Sequence, residues 1–110
     1  MNIAQIAKMA QQMQTQMAQV QQELRDTSLE VTAGGGAIRI VITGAQELRL
    51  LEIDAAAVDP AEVDMLQDLV LAAVNEAIAR SKELERQRMA AVAGAAGVPG
   101  LPGFGPSGGR

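Results

Sequence analysis

The chain has no cysteine, histidine, tryptophan or tyrosine, and its single phenylalanine, Phe104, lies in a Gly/Pro-rich end. Without cysteine there is no disulfide framework, no thiolate nucleophile and no Cys-ligated metal. Without histidine the commonest general base and metal ligand near neutral pH is missing. Carboxylates alone can hold Mg²⁺ or Ca²⁺, but no EF-hand-like or Asp-x-Asp spacing is present. Gly34-Gly35-Gly36 lacks the Lys-Ser/Thr of a phosphate-binding loop and precedes a strand-like run. These gaps point away from an enzyme, and no metal, cofactor or small-molecule substrate is expected. The opening MNIAQIAKMAQQ has no signal-like apolar run, and no later segment is apolar enough to span a bilayer. A soluble cytoplasmic protein with no membrane partner is the expectation.

The shortage of aromatics also bounds the core. Of 110 residues 48% are hydrophobic, but alanine supplies much of that share. A core of Ala, Val, Ile, Leu and Met is thin for a monomer of this size, so a second subunit is expected to complete it.

What is present falls into helix, sheet and helix. From Asn2 to Arg25 the residues Ile3, Ile6, Ala10, Met13, Met17, Val20 and Leu24 recur three and four apart, a heptad seam in a Gln-rich helix. So narrow a stripe calls for a partner helix. Leu29 and Val31, then Ile38, Ile40 and Ile42, alternate with other residues at the period of half-buried strands. The three glycines between them supply positive φ for a hairpin. Gly44-Ala45 makes the next turn, and Leu48 to Asp54 reads as a third strand with Leu51 and Ile53 toward the core. Leu48 and Leu50 then fall on the other face, which requires either a bulge or a covering partner.

Asp59-Pro60-Ala61-Glu62 carries helix-start chemistry, with Asp as N-cap and Pro at the first helical position. The second helix is expected to reach about Val92, before Gly94, with Leu66, Val70, Ala73, Val74, Ala77, Ser81 and Leu84 as its buried stripe. Residues 1–93 thus form one domain, and 94–110 a disordered Gly/Pro-rich tail. The fold class is α+β: a two-layer α-β-β-β-α subunit with a three-stranded antiparallel sheet and two long antiparallel helices.

Order and motifs together resemble a known family. KMAQQMQTQM (Lys8 to Met17), VITGAQELRLLEID (Val41 to Asp54) and MLQDLVLAAVNEA (Met65 to Ala77) are similar to segments of the YbaB/EbfC family of bacterial nucleoid-associated proteins. The resemblance covers roughly residues 5 to 92. It implies a subunit that dimerises through its sheet region, a tweezer-like homodimer with projecting helical arms that contact duplex DNA, a nucleoid location, and no catalysis. The first helix departs from the family pattern by presenting Gln where several Lys are common.

The net charge is −4, with 9 basic and 13 acidic residues, which argues against a nucleic-acid partner unless charge is segregated. It is segregated. Glu52, Asp54, Asp59, Glu62, Asp64 and Asp68 follow one another with no basic residue between, whereas Arg80, Lys82, Arg86 and Arg88 face only Glu83 and Glu85. With the helices antiparallel, Lys8 is expected to join that basic group near the tip. Lys8, Arg80, Lys82, Arg86 and Arg88 are the candidate DNA contacts, acting on phosphates. The bland reading is a solvated face of salt bridges such as Glu76–Arg80 and Glu85–Arg88.

Arg39, Val41, Leu48 and Leu50 are the candidate dimer contacts. Asn75 suits a buried hydrogen bond, and Met13 and Met17 suit core packing. Helix, sheet and helix also describe a prefoldin-like, protein-binding or chaperone-like adaptor with little DNA affinity, or an accessory factor acting on a protein partner in replication or recombination.

Overall fold

The computed structural model describes residues 2–95; the expected tail from residue 96 lies outside them. The order is α1 (Ile3–Asp26), β1 (Ser28–Ala33), β2 (Ile38–Thr43), β3 (Leu48–Ile53) and α2 (Val63–Ala95), with short 3₁₀ turns in the connections. The strands form one antiparallel sheet in the order β1-β2-β3. Fold class and element order agree with the sequence reading.

Local chemistry accounts for the boundaries. The Asn2 side chain accepts the Gln5 N–H at 2.8 Å and opens α1. Asp59 caps a 3₁₀ turn at Pro60–Glu62 by accepting from Ala61, and α2 continues from that turn. Gly34, Gly35 and Gly36 all have positive φ, and a Cβ on Gly34 would stand 2.6 Å from Leu69 Cδ2. The glycine run is therefore required by backbone conformation, and at Gly34 a side chain would also have to displace the end of Leu69. Contrary to expectation, α2 does not stop before Gly94 but continues to Ala95. Ala90, Ala91, Ala93 and Ala95 surround that glycine, and their helix propensity offsets a cost of about 1 kcal/mol.

The core is a single layer between α2 and the sheet. Val31, Ile38, Ile40 and Ile42 are buried against Ala73 and Ala77, with Leu66, Leu69, Val70, Val74 and Ile78 packed around them. The two alanines let the helix backbone settle close to the isoleucines. In β3 a register shift opposite Val41/Ile42 pairs Leu48 with Ile42, Leu50 with Val41 and Leu51 with Ile40. Arg49 is the extra residue of this bulge. Leu48 consequently lies on the same face as Leu51 and Ile53 and apart from Leu50, so of the two alternatives the sequence left open for this strand the bulge is the one found. Although they face the core side, these three side chains stay 37%, 40% and 38% exposed. The reason is placement: α2 packs on β1 and β2 and leaves β3 uncovered.

Beyond the sheet α2 runs on beside the C-terminal part of α1, in the opposite direction. Both helices are tied to the β2–β3 turn. The Ser81 hydroxyl donates to the Thr43 carbonyl at 2.7 Å and accepts from the Gln46 backbone N–H at 3.1 Å and its side-chain amide at 2.9 Å. Gly44 N–H donates to the carbonyls of Leu24 and Thr27 at 2.9 and 3.0 Å. Gln46 takes φ +61°, unusual for a residue with a side chain, and its amide bonds hold it there. The molecule measures 70 × 31 × 17 Å, a rod with the sheet toward one end.

Ser81→Ala is expected to lower stability by about 1 kcal/mol, because the Thr43 carbonyl and the two Gln46 donors each lose one bond but keep another. Gly44→Ala should destabilise by ~1–3 kcal/mol, since its Cβ would lie 3.0 Å from the Leu24 carbonyl oxygen and 2.8 Å from Leu24 Cδ2. Urea unfolding at fixed protein concentration measures both.

Candidate nucleic-acid interface

The basic residues of α2 lie at and beyond the level where it leaves the sheet, but they do not form one patch. At ~100° per residue, and with Ser81 turned to the β2–β3 turn, Lys82 lies on one flank and Arg80 on the other. Arg86, four residues after Lys82, shares its flank. Arg88 turns back toward the direction of Ser81 and meets Glu23 of α1 at 3.9 Å. The two helices are antiparallel, and Lys8 lies on the outer part of α1, exposed.

Most of the arginines already have a carboxylate. Arg80 pairs with Glu76 at 2.6 Å, and Arg86 holds Glu83 through two bonds of 3.0 and 2.5 Å. The anticipated Glu85–Arg88 pair is replaced by Glu23–Arg88, because Arg88 points into the helix pair rather than along its own helix. Among the described residues, Lys82 and Lys8 are in no ion pair. The Arg86 bonds hold the Glu83 carboxyl below its ordinary pKa, and the same contact raises Arg86. Asn75 is exposed, not buried, and lies on the flank of Lys82 and Arg86 together with Ala79. The sequence carried a signal for this, since Asn75, Ala79, Lys82 and Arg86 recur at three and four residues, but the apolar neighbours of Asn75 masked it. Arg25, outside the candidate set, lines a crevice with Gln21, Gln46 and Glu85 and bonds Gln22 at 2.7 Å.

The candidate dimer residues also divide. Arg39 stands on the outer sheet face, bound to Glu30 and to Glu52, the latter at 3.0 Å, which raises its pKa. Val41 and Leu50 are paired neighbours on that outer face and half-buried. Leu48 lies on the opposite, helix-bearing face. The apolar exposure that reasoning from sequence missed is there, at Leu51 and Ile53, and only knowledge of where α2 lies could have revealed it.

Among the described residues no His/Cys/Asp/Glu group is arranged to hold a metal ion, and no helix is long and apolar enough to cross a membrane. What the arm offers chemically is guanidinium, ammonium and amide donors in weak, solvent-exposed contacts that an anion can replace.

Because the folded Glu83 pKa is depressed, its pair with Arg86 supports the helix above the ordinary carboxylate range and is lost as pH falls through the depressed value. In a carboxyl-carbon NMR titration Glu83 is expected to titrate below the ordinary glutamate value, and Arg86→Gln should move it back up.

Comparison with known proteins agrees with this architecture. A model of the YbaB/EbfC DNA-binding family matches residues 1–96. A nucleoid-associated protein of Chloroflexus aggregans is 48% identical over 94 residues, covering 86% of this chain and 94% of its own. One from Moorella thermoacetica is 46% identical over 97 residues, covering 86% and 93%. An uncharacterized protein of Helicobacter pylori, solved by crystallography, superposes with a TM-score of 0.71 over 79% of this chain and 91% of its own. Its 22% identity makes that a likeness of fold alone. With the family model spanning nearly the whole described chain and the relatives aligned over most of their length, this chain belongs to the YbaB/EbfC DNA-binding family.

Proposed function

We propose that the protein is a nucleoid-associated homodimer that holds duplex DNA by its phosphate backbone, with the α2 arm supplying the contacts. The observation that carries this reading is the Asn75–Ala79–Lys82–Arg86 flank. It is exposed, it presents one unpaired cation, one guanidinium and one amide, and it adjoins the part of α2 that stands clear of the sheet. The acidic run Glu52 to Asp68 lies on β3 and the approach to α2, at the other end of the rod, so DNA on the arm is spared its repulsion. No aromatic side chain is available for base stacking within residues 2–95, which favours duplex over single strands. Backbone contact alone carries no sequence information, so binding is expected to be weakly sequence-dependent.

The dimer in this reading forms through β3. This strand is an edge with free backbone groups, and Leu48, Leu51 and Ile53 on its helix side are only partly covered. A second β3 or the neighbouring helix start would bury them. Arg39, Val41 and Leu50 would lie behind this contact on the outer face. Two subunits joined there carry two arms, and the soluble, DNA-coated interior of a bacterial cell is the matching location.

Fluorescence anisotropy of a random-sequence labelled duplex, over a salt series, tests the DNA reading. Affinity should fall steeply with salt, by a log–log slope of about −0.9 for each phosphate contacted. Lys82→Glu with Arg86→Glu should lower affinity at least about tenfold at low salt and flatten the slope, while Arg80→Glu on the opposite flank costs less. Glu83→Gln should strengthen binding by freeing Arg86. No binding by a well-folded protein at low salt would return the protein-binding adaptor as the better reading. For the dimer, Leu51→Glu should halve the mass seen by light scattering with helix content retained.

A further inference from the structure

We propose that the outer half of α1, from Ile3 to Met17, is a self-association surface that pairs antiparallel with the same segment of another molecule, joining arms tip to tip. The inference goes beyond the DNA reading and does not rest on it.

The seam is where α1 runs out of partner. Leu24 is buried and Val20 and Met13 half-buried, but Met17, Met9, Ile6 and Ile3 are 40%, 53%, 52% and 85% exposed. Isoleucine and methionine recurring at heptad spacing, left largely exposed by the described residues, form a continuous apolar stripe, unlike singly scattered surface residues.

The charge pattern selects the occupant. From Ile3 to Gln22 the only charged residue is Lys8. Such a face offers little to an acidic or basic partner and repels a copy of itself hardly at all. The spacing selects the direction. In an antiparallel pair with Ile6 level with Met17 of the other copy, Ala10 meets Met13, so small side chains face large ones through consecutive layers. The two Lys8 side chains are then about seven residues, roughly 10 Å, apart along the axis. A parallel pair would place Ala10 against Ala10, leaving a gap. Antiparallel pairing also opposes the two helix dipoles. It ends at Met17, where α2 takes over the seam.

A contact of about two heptads belongs with small, transient interfaces, below ~1,200 Å² in total. Association should therefore be weak in dilute solution and become strong only where copies are already concentrated, as along a polymer.

Sedimentation velocity of the full chain across a wide concentration range is the first test. The expected result is a reversible species of twice the mass of the unit present at low concentration. Ile6→Glu with Met13→Glu should weaken this association at least about tenfold while circular dichroism shows α1 still helical. Leu51→Glu separates this inference from the dimer reading: tip pairing should persist in that variant, whether or not the β3 edge is an interface. A second, non-disruptive measurement uses the lack of native cysteine. Ala7→Cys with Gln14→Cys, which flank the seam and are too far apart on one helix to bridge, should give disulfide-linked pairs of chains under mild oxidation. Absence of the heavier species together with absence of cross-linking overturns the proposal, as does undiminished association of the Ile6/Met13 variant.

Discussion

The structure hangs on the β2–β3 turn. Two helices that barely share a core with each other are each bonded to it: α2 through the Ser81 hydroxyl and α1 through the Leu24 carbonyl. The Ser81 oxygen uses its whole capacity, one bond donated and two accepted, which makes burial of a polar group at that depth affordable in free energy. Gly44 permits the other attachment, because any Cβ would meet the Leu24 backbone. With both ends fixed, the direction of the arm relative to the sheet is set by hydrogen bonds of defined length. The remaining contact between the helices, a few apolar residues and the long Arg88–Glu23 pair, needs only to keep the arm from splaying.

A thin core explains what the rest of the surface is left to do. α2 reaches across β1 and β2 with alanines at the contact, and no second helix is available for β3. Apolar side chains therefore remain partly open at both ends of the rod, on β3 at one and on outer α1 at the other. These are different faces with different chemistry. The β3 edge has free backbone donors and acceptors beside the acidic run, whereas the α1 seam is a neutral, purely side-chain surface.

Much of this was legible in the sequence, and the failures have physical causes. Alternation of Ile38, Ile40 and Ile42 located the buried strand, the Asp-Pro start located α2, and the glycine run located the first hairpin. The spacing of Ala73, Ala77 and Ser81 predicts one buried stripe, and all three are buried. In β3 the misplaced leucines signal a bulge or a covering partner, but only the register shows that a bulge at Arg49 exchanges the faces. Nor was the depth of overlap between the helices. A heptad seam tells that a helix has a partner side but not where along its length the partner stops. Among the candidate cations, helical period alone separates Lys82 and Arg86 from Arg80. The inward turn of Arg88 depends on which way α2 faces α1, which only the fold supplies.

The pairing of arginines with glutamates on the arm bears on whether a chain of net charge −4 can serve a DNA-binding family. Exposed ion pairs such as Glu83–Arg86 and Glu76–Arg80 contribute little to stability, so they are easily exchanged. A phosphate run offers the same bidentate geometry at a density no surface glutamate matches, and binding it releases counterions that the internal pairs never held. In the proposed DNA reading the glutamates would act as a threshold, neutralising the arm toward isolated anions in solution and yielding to a polyanion, where several contacts are made at once. On that view the acidic balance lowers affinity per contact without removing the preference for DNA, and it makes the response to ionic strength the property of the arm most sensitive to its charges.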